Sequence, residues 1–163
     1  MALDMYMNMG AIKGESADKV QGAAGDMDVL AWSWGMSQSG TTHMGKGGGA
    51  GKANFQDLSF TKYVDAASNA LMVALAKGTH LPACVLLTRK AGAGQVNYVK
   101  ITMNEVIVTS VSCGGSGGED RFTENVTLNF AKVTYEYFQQ KEDGSSEAAK
   151  PFTWNIAANT DAV

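Results

Sequence analysis

The sequence predicts a mainly β fold: an antiparallel two-sheet barrel or sandwich with one flanking α-helix and a long protruding glycine-rich loop. Three observations predict it. Apolar residues alternate with period two in about eight short runs separated by glycine-rich or polar turns. Only one stretch, Asp65 to Lys77, carries a convincing helical pattern. Strands and helices do not alternate, which disfavours a parallel sheet covered by helices.

Taken in order, Leu3, Met5, Met7 and Met9 alternate with Asp4, Tyr6 and Asn8 and predict a first strand with a thioether-rich core face. Gly10 to Asp26 is polar and glycine-punctuated, a surface connection. Asp28 to Ser37 reads as one strong strand. Leu30, Trp32, Trp34 and Met36 form its bulky, core-packing face, and Val29, Ala31, Ser33 and Gly35 a flat, small one. Gln38 to Ala53 has no apolar periodicity and exceeds the usual loop length, so it is expected to be a functional arm. Phe55 to Val64 resumes as a strand with Leu58, Phe60 and Lys62 on one face. The helix follows, with Asp65 as N-cap, a packed stripe of Ala67, Leu71, Ala74 and Leu75, and Gly78 as its stop.

Leu81 to Arg89 and Val96 to Met103 predict a hairpin around Ala91 to Gly94. The organising element is a longer hairpin, Glu105 to Phe138, folded about Gly114 to Gly118. Its first arm places Val106, Val108, Ser110 and Ser112 on one face and Ile107, Thr109, Val111 and Cys113 on the other. In its second arm the apolar set is even (Val126, Leu128, Phe130), then odd (Ala131, Val133, Tyr135, Tyr137). A one-residue phase change moves the apolar set to the other face, so a bulge near Ala131 or a strand passing from one sheet to another is expected. Lys141 to Lys150 is a charged turn, and Phe152, Trp154 and Ile156 mark a closing strand.

Composition narrows the function classes. A chain of 163 residues is expected to form one domain, residues 1–163. Its hydrophobic content of 45% and charged content of 18% exclude wholesale disorder. A net charge of −3 without a Lys/Arg block argues against nucleic acid as a partner. The longest apolar run, Ala70 to Ala76, falls short of the roughly 18 residues a membrane span needs, so no membrane insertion is expected. The N-terminus carries Asp4 and no basic segment, so no signal peptide and cytoplasmic folding are expected. Cys84 and Cys113 both lie in strand-like runs and read as reduced, buried small hydrophobes.

No catalytic constellation is legible. Around Gly51-Lys52 a phosphate-binding loop fails at Lys46 and Ala53, and a strand follows instead of a helix. Gly45-x-Gly47-x-x-Ala50 fits a relaxed dinucleotide fingerprint but lacks the helix that the fingerprint requires. His43 and His80 have no ligand partner at helical spacing, so no metal site and no cofactor are expected. Cys113 as a thiol nucleophile, or Glu119, Asp120 and Glu124 as acid–base carboxylates, would define an enzyme. The plainer reading of those carboxylates is an exposed hairpin tip beside Arg121. What remains is surface suited to association: a long arm, a small-residue strand face and several edge strands that must be covered or paired.

At this point four stretches, in order over essentially the whole chain, resemble the haemolysin-coregulated protein (Hcp) family, the tube proteins of bacterial type VI secretion. They are Lys13 to Ser16, Asp28 to Lys52, Asp57 to Tyr63, and Val111 to Phe130. Gln21 to Met27 and the tail after Gln139 diverge from the family. The resemblance implies a two-sheet β-barrel assembled as a hexameric ring with a wide pore. It further implies rings stacked into an inner tube, driven out by a contractile sheath with a spike at its tip. The chain would hold small effector proteins in the ring, enzymatic activity absent, and leave the bacterial cytoplasm through the machine itself. With about seven residues after the last strand, no C-terminal toxin domain is expected. Within that frame Gly40, His43, Met44, Lys46, Gly48 and Lys52 on the arm are expected to reach a neighbouring subunit or ring. Glu119, Asp120 and Arg121 are expected to sit at a ring rim, and Ala31, Ser33 and Gly35 to face the lumen and its effectors. The competing class is a monomeric β-barrel that binds a small ligand in a Met/Trp-lined interior.

Overall fold

The structure is a computed structural model that describes residues 2–46, 48–91 and 94–162. In chain order its elements are β1 (Leu3–Asn8), α1 (Gln21–Ala24), β2 (Met27–Asp28), β3 (Ala31–Ser33), β4 (Met36–Ser37), β5 (Asn54–Phe55), β6 (Leu58–Tyr63) and α2 (Ala67–Lys77). There follow β7 (Leu81–Lys90), β8 (Val96–Gly114), β9 (Thr123–Gln140), β10 (Ser146–Ala148) and β11 (Phe152–Asn155). The mainly β, antiparallel architecture with one substantial helix is as expected. One nine-stranded sheet follows the path β2-β1-β7-β8-β9-β6-β3, with β10 and β11 added on β9, while β4 and β5 pair separately. The path's ends, β2 and β3, do not pair with each other, so the layers form a sandwich and not a closed barrel.

The two layers are joined by the long hairpin of β8 and β9. Core positions on β8 are odd through Val99, Ile101 and Met103, then even at Val106 and Val108. On β9 they are even through Glu124, Val126, Leu128 and Phe130, then odd at Val133. The phase change expected near Ala131 is therefore present, and β8 makes the same change opposite it. The register is unbroken there, with Asn104↔Lys132 and Val106↔Phe130 flanking the corner. Glu105 at that corner has φ 54°, an uncommon conformation for a residue with a Cβ. Beyond the corner β9 changes neighbours: its edge pairs with β6 over Thr123–Leu128 and with β11 over Lys132–Tyr135.

A bulge does occur, but elsewhere. The β8 register slips between Val108 and Ser110, leaving Thr109 as the extra residue. Val106 and Val108 are thus buried while Ser110 and Ser112 turn outward, which splits the face that plain alternation assigned to all four. It also brings Val111 opposite the buried Val126, and β8 then runs past the core to an exposed Cys113. Cys84 is buried as expected; Cys113 is not, because the strand outlasts the layer that would cover it.

The expected single strand Asp28 to Ser37 is three short ones. Its chain passes from β1 to β6 between consecutive residues: Val29 N donates to Met5 O at 2.9 Å, and Leu30 N donates to Thr61 O at 2.8 Å. That hand-over resets the alternation, so Val29 is buried, Leu30 and Met36 are exposed, and Trp32 and Trp34 are half-buried against the core. Met7 in β1 and Met9 just after it are buried as expected, but Leu3 is exposed and Tyr6 buried on the opposite face. The polar connection contains α1, and Asp18 Oδ1 accepts the amides of Val20, in its cap position, and Gln21, its first residue, at 2.9 and 2.8 Å. Asp18 Oδ2 accepts from Arg89 Nη2 at 2.8 Å. The Gln21 amide first, with Arg89 behind it, holds the Asp18 carboxyl down at about 2.

Helix α2 starts at Ala67 with Ala66 in the cap position, one residue later than expected. Asp65 still serves it, accepting the Ala67 amide at 2.9 Å. Ala67, Leu71 and Ala74 are buried as expected, Ser68 joins them, and Leu75 stays exposed. Gly78 ends the helix in the left-handed conformation, φ 63°. The charged turn after Gln140 also contains a strand, β10, paired with β9 at Ser146↔Gln140. In the turn between β7 and β8, Gly92 and Ala93 lie outside the described residues.

Candidate functional site

Three surfaces carry the residues singled out from the sequence. The first is the arm. It is a projecting hairpin, not a structureless loop: Met36↔Phe55 and Ser37↔Asn54 pair at its root, and Gly40 bridges Ala50 further out. Thr41 Oγ1 donates to Gly49 O at 2.9 Å and closes the end. Gly48 is fixed by space, since a Cβ there would sit 2.7 Å from Thr41 O and Thr42 Cα. From Met36 to Lys52 every described residue is exposed, Met44 by 73%. Gly47 lies outside the described residues. Val29 to Gln56 contains no acidic residue, only Lys46, Lys52 and His43. Among the described residues neither lysine forms a salt bridge.

The second surface is the end of the long hairpin. Glu119, Asp120 and Arg121 are all exposed there, as expected. Arg121 stacks over the Tyr63 ring, 4.1 Å from its centre, which leaves Glu119 and Asp120 without a salt bridge among the described residues. Phe122 is 53% exposed beside them, and Val64, whose amide donates to Phe122 O at 3.0 Å, is also exposed. Depressions of about 400 and 440 Å³ flank Glu119 on either side.

Glu124, grouped with these carboxylates in the sequence, belongs instead to the interior. Its side chain and that of Lys62 are both 0% exposed and meet at 2.5 Å. Lys62 Nζ also donates to Asp65 Oδ1 at 2.7 Å and Tyr63 O at 2.8 Å, and Ser68 Oγ donates to Glu124 Oε1 at 2.7 Å. This network ties β6, β9 and the start of α2 together behind the hairpin end. It withdraws Glu124 from any surface chemistry. Cys113, the candidate thiol, lines one of the depressions with Ser112 and Glu119.

The third surface was only partly visible in the sequence. Ala31 and Ser33 are exposed as expected, while Gly35 is half-buried against the Gln56 side chain. The register extends this face across four strands. Ser33 lies beside Ser59, Ser59 beside Thr127, and Thr127 beside Ser110. The next row is Ala31, Thr61, Asn125 and Ser112. Ser59 and Thr127 hydroxyls are 3.4 Å apart, and Thr61 Oγ1 donates to Asn125 Oδ1 at 2.6 Å. The eight side chains are small and uncharged, on the face opposite Leu58, Phe60, Val126 and Leu128 of the core. Sequence alternation identified only the β3 members. The others lie far away in sequence, and the Thr109 bulge reverses the parity of Ser110 and Ser112.

Comparison with known proteins places the chain in a family. Residues 6–137 match the family model described as "Type VI secretion system effector, Hcp". The chain is 57% identical to Protein hcp1 of Pseudomonas aeruginosa over 99% of its own length and 100% of that protein's. Among solved structures it resembles a type six secretion system protein at TM-score 0.90 and 29% identity, covering 98% of this chain and 99% of that one. It also resembles Hcp1 from Salmonella typhimurium at TM-score 0.77 and 34% identity, with the same coverage. With the family model spanning most of the chain and the two-layer antiparallel fold shared throughout, the chain belongs to the Hcp family of type VI secretion proteins.

Proposed function

We propose that the chain is a non-catalytic structural and chaperone component of the type VI machine. Six copies close into a ring, and rings stack into the inner tube within the contractile sheath and behind its spike. The lumen holds small effector proteins, and the assembly leaves the cytoplasm through the machine itself. The observation that carries this reading is the uncharged face spanning β3, β6, β9 and β8. Short hydroxyl, amide and methyl side chains offer hydrogen bonds and close approach without a fixed charge pattern or a deep pocket. Such a surface suits cargo held reversibly and released intact.

The exposed arm supports self-association. A two-stranded hairpin standing clear of its own body is marginal in water and gains its order from a neighbour. A monomeric ligand-binding barrel would need an empty interior, whereas this one is filled by Met7, Met27, Phe60, Met103 and Leu128, each 1% exposed or less. Native mass spectrometry with negative-stain imaging tests the reading. The expected species is six times the chain mass and images as an open ring. A monomer at every concentration overturns it. In the ring, Ser33→Asp is expected to lose effector retention while leaving the oligomer intact.

A further inference from the structure

We infer that Asp57 is a positioning residue for the uncharged face: by holding the Thr109 bulge, it decides which side chains β8 presents there. The inference rests on the cargo-holding reading for its purpose, although the register itself can be measured without cargo. A one-residue slip turns every side chain of a strand to its other face. Beyond Val108↔Leu128, β8 has two ways to meet β9. In the observed one Thr109 is extra, Ser110 and Ser112 stand beside Thr127 and Asn125 on the uncharged face, and Val111 faces Val126. Without the bulge Thr109 and Val111 would take those two places, and Cys113 would follow beside Thr123. Ser110 would turn to Val126 and Ser112 to Glu124. The face would exchange two serines for a threonine and a valine, with a thiol at its margin.

Packing and pairing pull these registers in opposite directions. The bulge gains the Val111 side chain, half-buried against the core, but leaves Thr109 out of the ladder. The continuous register would regain that rung and set the Ser112 hydroxyl opposite Glu124, whose buried Oε2 has no hydrogen-bond partner among the described residues. The glycine-rich turn after Gly114 can take up the one residue of slack. A carboxylate distinguishes the two. Asp57 is half-buried just before β6, and its Oδ2 accepts from Thr109 Oγ1 at 3.1 Å and its Oδ1 from Asn129 Nδ2 at 2.8 Å. Thr109 Oγ1 also lies 3.1 Å from Thr127 O. Bonds to an ionised acceptor are stronger than neutral ones. The first bond exists only with the bulge: since Leu58 pairs with Leu128, Asp57 adjoins Asn129, and slipping would carry Thr109 one row away, into that of Ser59 and Thr127. Among the described residues Asp57 forms no salt bridge, so its carboxylate is given to this bulge and the strand beside it.

The test is thiol trapping in a Cys113→Ser background, where the remaining Cys84 is buried. S110C and V111C, in separate chains, report which side chain faces water, and S110C is expected to react about tenfold faster or more. With Asp57→Ala the ratio of the V111C rate to the S110C rate is expected to rise about tenfold or more, one thiol gaining what the other loses. Asp57→Asn keeps the size and one carbonyl oxygen; it is expected to fall between, and it serves in place of Asp57→Ala should that variant not fold. Deleting Thr109 is the control. Unbroken alternation then puts Ser110 and Ser112 on the uncharged face without a clamp, so Asp57→Ala is expected to leave both rates unchanged there. A residue that merely stabilised the fold would not be rescued by a deletion. The inference is overturned if V111C stays protected in every variant, if both thiols quicken together as in local fraying, or if the deletion does not rescue. Native mass spectrometry of the same samples separates the failures. Loss of the sixfold species in unmodified protein removes the ring reading and leaves the register result standing. A persisting sixfold species with an unaltered rate ratio removes only the role of Asp57.

Discussion

Replacing Lys62 with methionine tests whether the buried network organises this end of the fold. The ammonium is 0% exposed and its three acceptors, Glu124 Oε1, Asp65 Oδ1 and Tyr63 O, lie at 2.5, 2.7 and 2.8 Å. Its removal strands the Glu124 carboxylate, also 0% exposed, with only the Ser68 hydroxyl on Oε1 and no partner on Oε2. Breaking a buried pair from one side costs about 3–5 kcal/mol. For a chain of this size each kcal/mol moves the melting point by about 2–4 °C, so Lys62→Met is expected to melt roughly 6–20 °C lower. Glu124→Leu is expected to cost less, about 2–3 kcal/mol, because Lys62 keeps Asp65 and Tyr63 O. The double substitution leaves no buried charge from the pair and is expected to recover most of the loss. A residue of about 1–2 kcal/mol remains because the Ser68 hydroxyl and the Asp65 carboxylate each lose one partner. Urea unfolding followed by tryptophan fluorescence measures all three, at one fixed protein concentration so that any self-association contributes equally. A Lys62→Met variant within about 1 kcal/mol of the parent, or a double variant as unstable as the two singles summed, refutes the reasoning.

Other outcomes follow from single sites. Leu71→Ala, at a fully buried position of α2, is expected to cost about 2–5 kcal/mol in the same unfolding assay, whereas Leu75→Ala on the exposed side costs under about 1. Burial raises the Asp26 carboxyl, with the Asn8 amide opposing it. A raised acid favours the folded state below its unfolded pKa and loses that advantage as pH rises. Asp26→Asn is therefore expected to melt higher than the parent at pH 7, with the gap closing as pH falls through the carboxylate range; a gap that widens in acid contradicts the assignment. Asp18 has the opposite sign, its stabilisation present above the ordinary carboxylate range and lost as pH falls toward about 2, so Asp18→Asn is expected to melt lower at neutral pH. Cys84 is buried and its thiol pushed up to about 12, while Cys113 is exposed. A thiol reagent at high salt is expected to modify one cysteine per native chain, with the second reacting only in denaturant.

The phase change near Ala131 was legible because strict period-two alternation cannot bury both Phe130 and Val133 of one strand, so a bulge or a change of layer had to intervene. Its partner at Glu105 was not, since Asn104-Glu105 contains no glycine to announce a left-handed residue. Asp28 to Ser37 looks continuous because alternation is a property of one strand. Nothing within it reports that Val29 bonds one strand and Leu30 another. The arm was found by its length and lack of periodicity, but its hairpin pairing was hidden by glycines, which carry no pattern. Of the uncharged face, only β3 could be read. The remaining rows depend on register between strands nearly seventy residues apart, such as Ser59 and Thr127, and register is set by the whole sheet.

The shared axis of β6, β8 and β9 has a mechanical consequence. Inter-strand hydrogen bonds lie across an antiparallel ladder, so a push or pull applied along the strands between the arm end and the hairpin end loads them in shear. From Val106↔Phe130 to Gly114↔Thr123 on one side of β9, and from Leu58↔Leu128 to Tyr63↔Thr123 on the other, the rungs must yield together instead of unzipping one by one. The stiff direction of the molecule therefore runs along these three strands, from the arm's root to the end of the long hairpin.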